Sequence, residues 1–270
     1  MNLKSKTALA VLALISSGAF AQTAAAEPES TLGYNIGVVS NYSFRGITQT
    51  NYGGAVQGGA DYAHKSGVYV GAWASNVAWV KKVNGASNGD YELDLYAGYK
   101  GELVPGLGFD VGYISYMYPG NDSGAAGTPG AGNYTNANTK EAYIGLTYGP
   151  VTFKVSQSLG DFLGNKDSNG SRYYDLSATF DLGDGYSFVP HIGRQTIPNQ
   201  SVTGGIQGNA ADYTDVSLTL AKDMGNGLVV SAAAIATTAY DQFYVNQSAP
   251  TADGKAIGKT AAVIGLKYSF

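Results

Sequence analysis

The sequence predicts an all-β protein: a transmembrane, antiparallel, up-and-down β-barrel of twelve strands that follows a cleaved N-terminal signal peptide. Three observations support this fold class. Short segments with an apolar residue at every second position recur along the chain, the connections between them alternate between short and long, and the final segment ends on an aromatic residue. Because alternate side chains of a strand point to opposite faces, this period predicts one apolar face and one polar face.

The last segment, Ala261–Phe270, shows the period most clearly. Its apolar positions are Ala262, Ile264, Leu266, Tyr268 and Phe270. In transmembrane barrels the apolar face contacts lipid, the polar face lines the lumen, and aromatic residues mark the membrane border. Tyr268 and Phe270 resemble the C-terminal assembly signal of bacterial outer-membrane barrels. We therefore expect outer-membrane lipid and the barrel insertion machinery as partners.

The first 21 residues are predicted to be a secretory signal peptide, with cleavage between residues 21 and 26. Lys4 and Lys6 precede a short apolar run, and Ala19-Phe20-Ala21 is an A-x-A cleavage pattern. The apolar run is far shorter than the roughly 20 residues of a membrane-spanning helix. Residues 27–270 are then expected to form the barrel, located in the cell outer membrane.

The composition excludes several classes of function. The chain has no cysteine, which removes disulfides and thiol chemistry. Loss of the two lysines of the signal peptide leaves 14 of the 16 basic residues against 20 acidic ones, a formal charge of −6. Nucleic acid requires a basic surface, so it is not an expected partner.

Eleven alternating segments precede the last one. The predicted strands are Thr31–Arg45, Ala55–His64, Val68–Val77, Tyr91–Lys100, Phe109–Tyr118, Lys140–Tyr148, Val151–Ser158, Arg172–Phe180, Ser187–Gln195, Tyr213–Ala221, Leu228–Ala239 and Ala261–Phe270. Turn residues separate several of them, as Gly149-Pro150 does between the sixth and seventh. Twelve is an even number, as single-chain bacterial barrels require.

The connections between these strands alternate in length. From an N-terminus on the periplasmic side, long connections such as Pro119–Thr139 and Tyr240–Gly258 alternate with short ones such as Gly149-Pro150. Transmembrane barrels have short periplasmic turns and long extracellular loops. The glycine-rich segment Gly120–Asn138 is predicted to be a mobile surface loop, and the alternative is a loop that folds into the lumen and narrows it.

The polar face of each strand predicts the residues that line the lumen. The pore-lining candidates are Asn35, Asn41, Arg45, Gln57, Asp61, Glu92, Asp94, Asp110, Glu141, Lys154, Asp175, Asp215 and Lys267. A basic side chain that faces lipid near the membrane centre costs about 2–4 kcal/mol, so charged residues face inward by default. The set is mostly acidic, which predicts a weak cation preference in a water-filled lumen. The alternative is that these charges pair with one another and fill a narrow barrel.

Arg45 ends the first predicted strand, directly below the first long loop. It is predicted to be either a cation at a constriction, in contact with solutes or with Glu92 and Asp94, or a structural cation that fixes the rim of the barrel. Both interpretations stay open at the level of the sequence.

The stretch Asn41–Thr50, N-Y-S-F-R-G-I-T-Q-T, resembles the opening motif of the TorF-type porin family of proteobacteria. The segments Ala55–Gly59, Ser66–Gly71 and Glu92–Tyr99 are similar to that family too. The chain departs from the pattern of that family at Gly54, where the resemblance would imply proline. The resemblance implies an outer-membrane barrel with a pore, and it supplies no established substrate and no catalytic residue.

An enzymatic function is not predicted. His64 and His191 lack metal-ligand spacing. No G-x-S-x-G motif supports a serine hydrolase, because the match at Gly85–Gly89 lies in a predicted loop and not at a strand-to-helix turn. Asp167–Gly170 matches only a fragment of a calcium loop. No metal and no cofactor are expected. The predicted function is passive diffusion of small hydrophilic solutes through an outer-membrane channel, and the alternative is a closed barrel whose long loops bind an external partner.

Overall fold

The structure is a computed structural model that describes residues 29–246 and 253–270, and the predicted signal peptide lies outside them. Its main sheet has thirteen paired segments, two of which form one interrupted strand, so the predicted fold class and the strand number are confirmed. The barrel strands are β1 (Ser30–Val39), β2 (Ala55–His64), β3 (Val68–Asn76), β4 (Tyr91–Val104), β5 (Leu107–Met117), β6 (Thr139–Tyr148), β7 (Val151–Ser158), β8 (Arg172–Ala178, continued by Phe180–Gly183), β9 (Tyr186–Thr196), β10 (Tyr213–Asp223), β11 (Leu228–Thr237) and β12 (Ala261–Ser269).

Each strand pairs antiparallel with both neighbours, and the sheet closes on itself. β1 pairs with β2 along its length and with β12 at the seam, where Asn35 faces Ser269. β8 pairs with both β7 and β9, so the opposite wall is continuous. The last residue extends the seam, because Phe270 and Tyr34 exchange two backbone hydrogen bonds of 2.9 and 3.0 Å. Closure leaves no strand edge to be satisfied by water.

The connections differ in length between the two ends of the barrel. The connections are short at the end of the barrel where β1 begins and β12 ends, and they span residues 65–67, 105–106, 149–150, 184–185 and 224–227. At the other end they are long, spanning residues 40–54, 77–90, 118–138, 159–171, 197–212 and 238–260. The predicted alternation is therefore confirmed, and the two ends are called the turn end and the loop end below.

The outer face of the barrel is apolar. On β1 the outward side chains are 44–58% exposed, and they are Leu32, Tyr34, Ile36 and Val38. Exposed aromatic side chains lie towards the turn end, among them Tyr62, Tyr99, Tyr148, Phe180, Tyr186, Tyr268 and Phe270. Soluble proteins rarely expose a continuous apolar surface of this size, and aromatic side chains concentrate at membrane interfaces. This face is suited to lipid, so the strands span a membrane.

The interior of the barrel has two parts. At the loop end a cluster of buried side chains, called the aromatic layer, fills the lumen and includes Tyr42, Phe44, Ile47, Trp79, Val80, Tyr116, Tyr118, Phe162, Ile197, Tyr213, Tyr244 and Ile257. At the turn end, called the wet half, inward residues such as Asp61, Asp110 and Lys154 remain partly exposed. Trp79 belongs to a one-turn helix, α1 (Trp79–Lys82), in the second long loop. Among the described residues, no helix has the length and apolar character needed to cross a membrane.

The first strand is shorter than predicted. It ends at Val39 and not at Arg45, and residues 40–54 turn into the barrel instead of continuing its wall. This segment, called the inward hairpin, contains the paired strands Ser43–Phe44 and Ile47–Thr48. Its apolar residues pack in the aromatic layer and not against lipid. The alternating pattern continues past Val39 because the lipid-facing side of the wall and the aromatic layer both require apolar side chains.

Candidate functional site

The inward hairpin is built around a two-residue turn. Arg45 and Gly46 occupy its centre with φ of 48° and 79°, the left-handed region that type I′ turns require. A Cβ atom on Gly46 would lie 2.6 Å from the Cβ of Asp215, so the hairpin tip contacts the wall directly. At the base, the Asn41 side-chain oxygen accepts hydrogen bonds from the hydroxyls of Thr48 (2.5 Å) and Thr50 (3.4 Å). Glycine at the tip and asparagine at the base thus fix the hairpin inside the lumen.

Arg45 at the hairpin tip reaches the wall opposite β1. Its guanidinium forms a bidentate pair with Glu141 on β6, with N–O distances of 3.0 and 2.7 Å. It also donates a hydrogen bond of 2.9 Å to Gln195 on β9, and it stacks 4.3 Å from the ring centre of Tyr173 on β8. The side chains of Arg45 and Glu141 are only 7% and 1% exposed. The hairpin therefore crosses the lumen and is attached to the far wall.

The surroundings keep Arg45 charged. Burial opposes the charge, but Glu141 and the nearby Tyr116 and Tyr173 outweigh this effect and raise the pKa of Arg45 above its ordinary value. The Tyr116 hydroxyl adds a 3.2 Å hydrogen bond to Glu141. A bidentate arginine–carboxylate pair combines charge with fixed geometry. Arg45 thus lies within the lumen. The sequence pattern predicted that Asn41 and Arg45 belong to the first strand of the barrel wall, and this prediction was wrong because β1 ends at Val39.

The long loops cover the hairpin on its outer side. Phe44 packs edge-on against Tyr116, with ring centres 5.6 Å apart. A cavity of about 50 Å³ separates the hairpin from the loops, and its lining includes Phe44, Ile47, Trp79, Phe162, Tyr213 and Tyr244. Tyr134 of the glycine-rich loop also lines this cavity, and the same loop bonds to its neighbour through Thr135 N–H and the Gly164 carbonyl at 2.8 Å. The segment that crosses the lumen is the inward hairpin and not Gly120–Asn138.

The wet half contains hydrogen-bonded groups of carboxylates and tyrosines. His191 lies between two carboxylates, 2.9 Å from Asp175 and 3.5 Å from Asp215. The Tyr173 hydroxyl donates to Asp215 at 3.0 Å, which links this group to the aromatic ring below Arg45. The Tyr96 hydroxyl donates to Asp61 at 2.5 Å. Sequence reasoning did not identify these lumen tyrosines or the position of His191 between two acids, although Tyr96 and Tyr173 have the strand parity of the polar face.

The predicted lumen residues fall into two groups. Those in the aromatic layer or beside it are largely buried, and they are Asn41, Arg45, Glu92, Asp94, Glu141 and Asp215. Those of the wet half are partly exposed, and they are Asn35, Gln57, Asp61, Asp110, Lys154, Asp175 and Lys267. The structure therefore brings Arg45 to Glu141 and not to Glu92 or Asp94. The pore-lining role of the whole set stays a prediction.

Comparisons with known proteins agree with this architecture. Three solved structures with a TM-score of 0.50 each cover 89% of this chain and 99% of their own: a KdgM porin at 6% identity, a KdgM porin in complex with disordered oligogalacturonate at 7%, and a NanC porin at 9%. At such identities the likeness establishes a shared barrel fold. No curated protein matches the chain. Residues 22–270 match the family model described as a bacterial protein of unknown function (Gcw_chp). The TorF-type resemblance stays a prediction, whereas the match over nearly the whole chain shows that this protein belongs to the Gcw_chp family.

Proposed function

We propose that this protein is an outer-membrane channel of the porin type for passive diffusion of small hydrophilic solutes, and that the inward hairpin is its constriction. The observation that carries the proposal is a lumen lined with ionisable side chains from the wet half up to Arg45. Burying charged groups costs free energy that an apolar filling would avoid, so a purely structural barrel gains nothing from them. The fold shared with porins supports the same function.

The constriction can be tested because the hairpin is an insertion in a regular part of the wall. Val39 faces Ala55 in the β1–β2 ladder, so a four-residue turn can replace residues 40–54 without altering the register. We expect the shortened barrel to give larger and longer-lived conductance steps in a planar bilayer than the wild-type protein. The matched control shortens the mostly exposed loop tip at residues 124–133, and it should conduct like the wild type.

The charge of the wet half supports a weak cation preference. The carboxylates in it or beside it are Asp61, Asp110, Asp175 and Asp215, against the lysines Lys100, Lys154 and Lys267. Salt screens such charges over about 8–10 Å, so the preference should be clearest in dilute electrolyte. We expect the reversal potential under a salt gradient to show cation selectivity, and the Asp61→Asn/Asp110→Asn variant to reduce it. A wild-type reversal potential of zero or of anionic sign would contradict this assignment.

The second candidate is a closed barrel whose loops bind an external partner. The specific observation that favours it is the aromatic layer, which fills the loop end with buried apolar side chains. The two candidates differ in the shortened barrel described above. If that variant assembles, as judged by heat-modifiable gel mobility, and still shows no conductance, the channel proposal fails and the closed barrel becomes the better account.

A further inference from the structure

A pair of carboxylates lies in the lumen apart from the Arg45–Glu141 pair. Glu92 and Asp94 are two residues apart on β4, so both side chains point to the same face, which is the interior of the barrel. They are only 2% and 1% exposed. In the two described ranges, no arginine, lysine or histidine forms an ion pair with either carboxylate. Arg45, the cation of this part of the lumen, is bound to Glu141.

Four oxygen atoms of this group have no hydrogen-bond partner among the described residues. They are Oε2 of Glu92, Oδ1 and Oδ2 of Asp94, and the hydroxyl oxygen of Tyr42. Tyr42 belongs to the inward hairpin, is 1% exposed and interacts with both carboxylates. A tyrosine hydroxyl is neutral at neutral pH, so the Tyr42 oxygen offers a lone pair. The hydroxyls of Tyr42 and Tyr118 lie close to Glu92, but they carry no positive charge. Two buried carboxylates without a counter-charge are strongly unfavourable, so another species must compensate them.

The chemistry of the four oxygens selects that species. One proton shared between the carboxylates would leave one of the two negative charges buried and unbalanced. A hard divalent cation takes about six to eight oxygen ligands, accepts carboxylates in one-oxygen or two-oxygen mode, and balances two negative charges. Mg²⁺ demands a stricter octahedral geometry than Ca²⁺ and releases water reluctantly. We propose that Glu92, Asp94 and Tyr42 bind one divalent cation, that Ca²⁺ fits best, and that water completes the coordination shell.

The position of this site gives the cation a structural consequence. Tyr42 lies at the base of the inward hairpin and packs edge-on against Trp73 of β3, with ring centres 5.5 Å apart. The cation joins the base of the hairpin to the β4 wall, as Arg45 joins its tip to β6. Binding at this site does not depend on whether the barrel conducts solutes.

Metal content after refolding tests the site. Because the carboxylates are buried, the full barrel is refolded into detergent micelles in CaCl₂ or in EDTA, desalted in chelator-treated buffer and analysed for bound calcium. We expect one Ca²⁺ per chain after refolding in CaCl₂ and background calcium after refolding in EDTA. Glu92→Gln and Asp94→Asn should each reduce the calcium to background, whereas Asp110→Asn, a matched lumen carboxylate of the wet half, should retain it. Heat-modifiable gel mobility verifies that each barrel is folded.

Two results would overturn the proposal. The first is a folded wild-type barrel that holds no calcium, which would mean that protons neutralise the pair. The second is calcium retained in the Glu92→Gln/Asp94→Asn double variant, which would place the ion elsewhere. If the acidic variants do not fold, Tyr42→Phe removes one ligand oxygen and keeps the ring, and it should release calcium to EDTA faster than the wild type. An unchanged release rate would also contradict the site. Metal content is measured without conductance, so this failure and a failure of the channel proposal are distinguishable.

Discussion

Replacing Arg45 with alanine removes the attachment of the hairpin tip to the far wall, and the expected cost follows from the surroundings. Glu141 is only 1% exposed. Of the hydrogen-bond donors that it now has among the described residues, the variant would leave it only the Tyr116 hydroxyl, at 3.2 Å. Removing one partner of a buried pair costs about 3–5 kcal/mol, because the other charge stays buried and unpaired. We therefore expect Arg45→Ala to lower the free energy of unfolding by about 3–5 kcal/mol, and to increase conductance as the tip leaves the wall.

A surface ion pair provides the matched control. Arg194 is 47% exposed and lies 3.5 Å from Asp212, an arrangement worth about 0–1 kcal/mol. Urea unfolding in lipid vesicles, followed by tryptophan fluorescence, compares Arg194→Ala with Arg45→Ala. The double variant Arg45→Ala/Glu141→Gln should recover part of the lost stability because it removes the unpaired charge. Equal effects of the two arginine variants, or no recovery in the double variant, would refute this reasoning.

Three further predictions concern topology, assembly and the hairpin turn. A protease added to intact cells should cleave an engineered site within residues 120–138 but not one at Gly149-Pro150, and cleavage at the latter would invert the orientation. Phe270 bonds and stacks with the first strand at the seam, so its deletion should reduce outer-membrane assembly much more than Ser269→Ala does. Heat-modifiable gel mobility measures assembly, and equal assembly of the two variants would show that the terminal aromatic residue is not an assembly signal. Gly46→Ala introduces a Cβ at φ 79° where the wall leaves no space, so it should destabilise the protein by about 1–3 kcal/mol and raise conductance, and a neutral result in both assays would contradict the described turn.

The strands that face lipid were the predictable part of this fold. The predicted bounds of two strands, Ala55–His64 and Val151–Ser158, are those of the structure. Their ends were predictable because glycine-containing turns or loops interrupt the alternating pattern there. The first strand was predicted too long because Tyr42 and Phe44 keep the apolar parity of β1 while they lie inside the barrel. Strand period reports which residues avoid water. It does not report whether they meet lipid or a packed interior.

The site could be predicted as a set of residues but not as a set of contacts. Parity assigns Glu141 and Lys154 to the interior, since the side of a strand follows from counting by two. The Arg45–Glu141 pair spans 96 positions and depends on the direction of the hairpin turn, which no local pattern determines. Tyrosines were a second difficulty. Tyr62 faces lipid and Tyr96 faces the lumen, so only their parity, and not their residue type, distinguishes the two roles.

The contacts between the hairpin and the last long loop have a consequence for the order of folding. Asn51 and Tyr52 at the end of the hairpin bond to Asp253, at 2.9 Å, and to the Ala256 carbonyl, also at 2.9 Å, partners more than 200 positions later in the chain. Closing so large a loop is slow, and synthesis delivers these partners last. The hairpin is attached to β1, the strand that forms the seam with β12. Lumen filling and seam closure are therefore coupled late events. A chain truncated before the last long loop, residues 238–260, would lack these contacts and would leave the hairpin more accessible to proteases.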